Sequence, residues 1–194
     1  MLKLKLPTDP RWVNIAEKNL EEILTDHAFC EQKAASSAIS FIVQYPEYTD
    51  LVDAMLALAS EELDHLKMVH EIIKKKGLSL GRDRKDPYVS DLKKFFAKGS
   101  NRESVMIHRL MLAAMIEARS CERFKVLSEN LTDPELCKFY HKLMVSEATH
   151  YTLFLGFAKK YGKKLMDVEK IWNNFLIYEA SIIKGYGNKE LIHG

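Results

Sequence analysis

Cysteine, proline and glycine are scarce in this 194-residue chain, at 3, 5 and 8 residues. The cysteines, Cys30, Cys121 and Cys137, are odd in number and form no Cys-x-x-Cys pair, which excludes a disulfide framework and a thiolate metal knuckle. So little glycine and proline disfavours a turn-rich β fold and leaves room for long helices. No apolar run reaches the ~18 residues that a membrane span requires. The opening Met1-Leu2-Lys3-Leu4-Lys5-Leu6 alternates apolar and basic residues, whereas a secretory signal is continuously apolar. Free cysteines without such a signal lead us to expect a cytoplasmic protein. A net charge of +2 is too small to imply a polyanionic partner by its total alone.

What is present is helical periodicity over most of the length, and one domain spanning 1–194 is expected. Residues 1–9 read as an extended arm, with Asp9 as a cap and Pro10 suited to a first helical turn. A helical pattern runs from Trp12 to Gln44, broken near Lys18-Asn19 and ended by Tyr45-Pro46, because the residue before proline disfavours helix. A second helix is expected from about Tyr48 to Lys76, stopping at Gly77. After a polar loop over 77–86, Pro87 opens a short helix that ends at Gly99. Ser100-Asn101-Arg102-Glu103 resembles a capping box for a third long helix to about Glu129. Asp133-Pro134 starts a fourth, reaching Tyr161-Gly162, and a fifth runs from about Met166 to Lys184. The glycine-bearing tail over 185–194 reads as loose.

The chemistry sits on two Glu-x-x-His pairs, Glu62/His65 and Glu147/His150. Residues three apart share a helix face, so each pair can offer a carboxylate and an imidazole to one metal ion. With 17 Glu and 7 His, random scattering would give about 0.6 such pairs; three occur, and Glu190/His193 is set aside because it lies in the glycine-bearing tail. Spacing strengthens the other two. Glu31 precedes Glu62 by 31 residues and Glu117 precedes Glu147 by 30, and both midpoints, Pro46-Glu47 and Thr132, fall in turn-like sequence. In an antiparallel hairpin, residues equidistant from the turn lie at the same height. Each lone Glu is therefore expected to face its Glu-x-x-His, twice over. Two such hairpins supply the ligand set of a di-iron four-helix bundle: Glu31, Glu62, His65, Glu117, Glu147 and His150. The di-iron site itself would carry the catalysis, with no separate catalytic side chain assigned.

Plainer readings apply elsewhere. Glu61 lacks the three-residue offset to His65, and Glu122 lies about 140° around the helix from Glu117, beside Arg119 and Lys125, so it reads as a surface residue. His27, one turn before Glu31, is either an ordinary packed histidine or a partner of that carboxylate, and the first is simpler. Between Lys74 and Arg102, ten basic residues face three acidic ones, and Lys159, Lys160, Lys163 and Lys164 form a second cluster. These are solvated faces or a phosphate-backbone footprint.

Four stretches resemble the MiaE family of tRNA 2-methylthio-N6-isopentenyladenosine hydroxylases, which are ferritin-like di-iron monooxygenases. They are Cys30 to Ser36, Glu61-Glu62-Leu63-Asp64-His65, Ile116 to Phe124 with its Glu-Ala-Arg-Ser-Cys-Glu-Arg-Phe core, and Ser146 to Tyr151. Thr149 stands where members more often carry a basic residue. The resemblance implies an all-α, ferritin-like four-helix bundle with additional short and C-terminal helices, and the same six residues as ligands of two iron ions. It implies hydroxylation of the isopentenyl side chain of (2-methylthio-)N6-isopentenyladenosine at tRNA position 37, using O2 and electrons from a separate reductase. The tRNA anticodon stem-loop would meet the basic segment 74–102, and the protein would be a monomer or small oligomer. The rival readings are a ferritin-like oxidase or peroxidase, a hydroxylase of a lipid-like or other non-tRNA substrate, and a metal-free helical adaptor.

Overall fold

The computed structural model describes residues 2–85, 87–96, 101–186 and 191–193, and among these it contains helices and turns but no strand. The helices are α1 (Trp12–Lys18), α2 (Leu20–Gln44), α3 (Thr49–Lys75), α4 (Pro87–Lys93), α5 (Arg102–Asn130), α6 (Pro134–Gly162) and α7 (Val168–Ile182), followed by a 3-10 turn at Ile183–Gly185. The break between α1 and α2 falls at the expected Lys18-Asn19. Asp86, Lys98, Gly99 and Ser100, all used in the sequence reading, lie outside the described residues. The chain divides into two compact units: Met1–Glu17, Asp86–Lys189 and His193–Gly194 form one, and Lys18–Lys85 with Glu190–Ile192 the other.

The smaller unit is the hairpin of α2 and α3. The chain leaves α2 at Tyr45, whose N–H still reaches the Phe41 carbonyl at 2.9 Å, and Pro46 prevents continuation. The far end of α3 closes in a Schellman motif. Gly77 takes φ +66°, its N–H bonds the Lys74 carbonyl, and the Leu78 N–H bonds the Ile73 carbonyl, both at 3.0 Å. The buried face of α2 is Leu24, His27, Glu31, Ala35 and Ala38, and that of α3 is Met55, Leu58, Glu62, His65 and Val69. The loop after α3 is pinned along α2: Ser79 N–H to Glu21, Gly81 N–H to Thr25 Oγ1, Lys33 to Asp83 and Arg84 to Glu22.

In the larger unit, α5 and α6 form the second long hairpin. Asn101 caps α5 by accepting from Ser104 N–H at 2.8 Å. Asp133 caps α6 by accepting from Glu135 and Leu136 N–H, with Pro134 in the first turn. Asp167 caps α7 through Lys170 N–H. Phe175 of α7 stacks on Phe95 and meets Phe96 edge-on, at centroid distances of 4.8 and 4.9 Å. The C-terminal stretch is not loose throughout: Leu191, Ile192 and His193 are buried, while 187–190 lie outside the described residues. Within the hairpin unit the Ile192 N–H donates to Asp26 at 2.7 Å, and within the larger unit His193 bonds Ser120 at 2.9 Å and stacks on Tyr88. Hydrogen bonds to buried side chains hold these residues against the fraying their composition favours.

Two glycines of α6 separate packing from propensity. A Cβ at Gly162 would lie 2.3 Å from Val168 Cγ2, a branched and buried side chain with little freedom to move, whereas one at Gly156 meets nothing within 4 Å. Gly162→Ala should lower the unfolding free energy by about 1–3 kcal/mol. Gly156→Ala should raise it by about 0.5–1 kcal/mol. Urea denaturation of both variants checks the opposite signs.

Candidate metal centre

Each long hairpin brings together one Glu and the Glu-x-x-His opposite it. In the smaller unit, Glu31 of α2 meets Glu62 and His65 of α3; in the larger, Glu117 of α5 meets Glu147 and His150 of α6. Within each triad one oxygen or nitrogen per residue lies within 4.8 Å of the others. All six side chains are buried, none more than 6% exposed. The register follows from the near-equal spacing about the two turns. Burial follows from stripes that place each Glu and His among Leu, Met, Ala and Phe at steps of three and four.

The two imidazoles are presented alike. His65 Nδ1 faces Glu62 at 3.3 Å and Glu31 at 3.6 Å, while its Nε2 points toward the half-exposed Glu61 at 3.8 Å. His150 Nδ1 faces Glu147 at 3.8 Å, with Nε2 3.5 Å from Ser146 Oγ. Nδ1 is thus the nitrogen turned to the carboxylates in both triads. His27 is completely buried and its Nε2 lies 2.7 Å from Glu31 Oε1, so it is a partner of that carboxylate. That contact leaves Glu31 Oε2 as the oxygen facing His65.

Electrostatics in the α2–α3 triad reflect two carboxylates with too few protons between them. Burial alone would raise the Glu31 pKa, but hydrogen bonds from His27 and His65 hold it well below the carboxylate range. Burial alone would lower the His65 pKa, yet its hydrogen bonds to Glu31 and Glu62, with their negative charge, raise it to about 10. The protein draws one cationic charge from His65 to offset the two carboxylates. A divalent cation would supply that charge more completely: two hard oxygen donors and an imidazole per triad suit iron or manganese, and the residues fit a metal pair by donor chemistry.

Several buried polar residues escaped the sequence reading. Glu122 is not a surface residue. It accepts from Thr8 N–H at 2.7 Å, from the Thr8 hydroxyl and from Arg119 at 2.9 Å, tying the N-terminal arm to α5. Arg119 is fully buried, paired with Glu179 of α7 at 2.6 Å and donating to the Leu6 carbonyl. Tyr88 of α4 donates to the same Glu179, and Arg123 stacks 4.2 Å over Trp12 of α1. Periodicity held one usable signal: Trp172, Phe175, Leu176 and Glu179 continue a single stripe, which places Glu179 inward. Arg119 carried none, since charge beside Glu122 reads as solvated.

Comparison with known proteins places these features in context. The family described as tRNA-(MS[2]IO[6]A)-hydroxylase (MiaE) matches residues 2–194. A tRNA 2-(methylsulfanyl)-N(6)-isopentenyladenosine(37) hydroxylase of Pseudomonas putida is 40% identical over 159 residues, covering 82% of this chain and 76% of the relative. A hydroxylase of the same description from Salmonella typhimurium is 29% identical, covering 81% and 75%. A solved Synechococcus protein with aldehyde deformylating oxygenase activity superposes with a TM-score of 0.86 at 31% identity, over 98% of this chain and 95% of its own. The fold class is accordingly all-α and ferritin-like.

The raised His65 pKa has a sign that can be checked. In protein stripped of metal by chelation, a folded pKa of about 10 against about 6.5 unfolded gives stability that is complete at the lower value and lost as pH rises through the higher. Urea midpoints of the stripped protein should fall across that window, and His65→Gln should flatten the fall; a flat wild-type profile would contradict the assignment.

Proposed function

Because the chain belongs to the MiaE family of tRNA hydroxylases, we propose that it hydroxylates the isopentenyl side chain of (2-methylthio-)N6-isopentenyladenosine at tRNA position 37. We assign Glu31, Glu62, His65, Glu117, Glu147 and His150 as ligands of a di-iron centre. The observation that carries this reading is the pair of buried Glu/Glu/His triads, each built by one hairpin, in a chain of this family. The reaction consumes one O2, two electrons and two protons, and converts a C–H bond into C–OH with release of water. Iron held by these six residues would supply the activation of O2.

The chain's own residues do the rest. The carboxylates of each triad hold negative charge where cations are to sit, and the surrounding Leu, Met and Phe side chains exclude water. His27 occupies one oxygen of Glu31 and turns the other to the triad, an orienting contact of the kind metal-ligating groups require. The electrons come from a separate reductase, and the protein works in the cytoplasm as a monomer or small oligomer. No helix among the described residues is long and apolar enough to cross a membrane.

The tRNA is assigned to the basic segment 74–102. Lys74 and Lys75 are exposed in the hairpin unit, as are Lys93, Lys94 and Arg102 in the larger one. Within this segment Arg84 pairs with Glu22 at 3.1 Å and Lys94 with Asp91 at 2.6 Å.

Two experiments test the reading. Cells lacking the gene should lose the hydroxylated isopentenyladenosine species from tRNA and gain an equal amount of its precursor by nucleoside mass spectrometry. Complementation with Glu62→Ala or Glu147→Ala should not restore it, and the purified variants should retain less than the about two irons per chain expected of wild type. Unchanged nucleosides, from a protein holding its iron, would point to another substrate. Reversing the charge of Lys93, Lys94 and Arg102 together should weaken tRNA binding and reduce its dependence on salt by about one phosphate contact per residue removed; binding as tight and as salt-dependent as wild type would remove this surface.

A further inference from the structure

Helix α3 carries two stripes at helical spacing, and the hairpin buries only one of them. Met55, Leu58, Glu62, His65 and Val69 face inward. One residue on from Glu62, and so turned from that line by about 100°, lies Leu63. It belongs to a second row: Val52, Leu56, Ala59, Leu63, Leu66 and His70. The steps of four and three residues alternate along this row, which is the heptad spacing of a helix that pairs with another helix. Leu56 is 56% exposed and Leu63 44%, with Val52 and Leu66 half-buried beside them. Isolated surface leucines are ordinary, but a heptad row of aliphatic residues along about 27 Å of one helix is a seam without its other half.

Charge along the outer edge of the seam specifies what completes it. Asp53, Ser60 and Lys67 follow one another at intervals of seven residues and are all exposed. The order is acid, small neutral residue, base. Turned end for end, this line is its own complement. A two-fold axis passing between Ala59 and Ser60 sets Leu56 against the second copy's Leu63, and Leu63 against its Leu56. The same axis brings Asp53 within one residue of the height of the second copy's Lys67, on the same side of the seam. It does so twice, as an isologous contact must. Ala59 and Ser60 are small, so the two helices can approach closely where they cross the axis. Lys67 also meets Asp64 of its own helix at 2.7 Å, but both side chains are largely exposed, and an ammonium has three protons to share. A parallel pairing would set Asp53 against Asp53 and Lys67 against Lys67. A nucleic acid or an anionic membrane would meet Asp53 and Asp64 beside the leucines. Like charge disfavours all three.

We infer that this face of α3 is a dimer interface, in which a second copy of the chain packs antiparallel across it. Leu56 and Leu63 form the seam, and Asp53 pairs with Lys67 along its edge. One helix face buries less than the roughly 800 Å² per partner of a standard interface, so the dimer is reversible, with a dissociation constant of about 1–100 µM. The inward stripe points away from the seam, and each copy keeps its own Glu31, Glu62 and His65. The surface needs neither metal nor RNA, and it stands apart from the tRNA hydroxylase reading.

Sedimentation equilibrium of full-length, iron-loaded protein over about 1–300 µM tests it, and wild type should show a reversible monomer–dimer equilibrium. Leu56→Glu with Leu63→Glu should raise the dissociation constant at least about a hundredfold. Both positions are exposed, so helix content and bound iron should stay at wild-type levels. Asp53→Lys alone and Lys67→Asp alone should each weaken the dimer about three- to tenfold, and the two together in one chain should restore it. A merely structural role for these residues would not give that recovery, and neither would parallel pairing. A wild type that stays monomeric throughout, a dimer indifferent to the leucine substitutions, or a double charge swap no tighter than the single ones would overturn the proposal. So would a monomeric wild type that binds phosphatidylglycerol vesicles when the leucine variant does not, since the row would then belong to a lipid surface.

Discussion

A carboxylate withdrawn from water is tolerated only against positive charge, and each long hairpin of this protein withdraws two. That constraint organises the rest. It explains why a histidine stands one helical turn beyond Glu62 and Glu147, why His27 is packed against Glu31, and why the stripes around the triads are so thoroughly apolar. Apolar walls make the buried charge more demanding, because a lower local dielectric strengthens every unbalanced interaction. In the α2–α3 triad the demand is met by His65 holding its proton to about pH 10. A protein whose only need was a stable hairpin could place leucine at these positions, and replacing buried ionic groups with apolar ones often stabilises. The triads are intelligible as sites for cations.

A second buried charge system stabilises the larger unit. Arg119 joins the arm through Leu6, α5 through Glu122 and α7 through Glu179, and Tyr88 of α4 donates to the same glutamate. One guanidinium thus ties α5 to the arm and to α7 directly, and to α4 through Glu179, which its planar array of donors permits and a lysine ammonium would not. The consequence is local to the site: α5 carries Glu117 two residues before Arg119, so the network that anchors α5 also sets the rotation of the helix presenting that carboxylate. The Glu-Ala-Arg-Ser-Cys-Glu-Arg-Phe stretch therefore combines a triad residue with the residues that fix its helix.

Family membership and site geometry contribute different things. The match over residues 2–194 identifies a tRNA hydroxylase family, while the likeness to an aldehyde deformylating oxygenase shows that a closely similar helical scaffold serves another oxygenase. A fold shared at that level does not select a substrate.

The sequence by itself determined the helices and the make-up of each triad. Pro46, Gly77 and Asp133-Pro134 set helix ends through local backbone chemistry, and Glu-x-x-His with a lone Glu at an equal distance from the turn set the register. Both are short-range rules, readable along one hairpin. Tertiary structure decided what depends on residues far apart. The burial of Arg119, the reassignment of Glu122 from surface to anchor and the ordering of Leu191 to His193 all require partners about 60 to 170 positions away. His27 could be read either way until its distance to Glu31 was known. Periodicity reports which face of a helix is inward, but it cannot report which polar group waits on the other side, because that partner is chosen by the path of the chain through space.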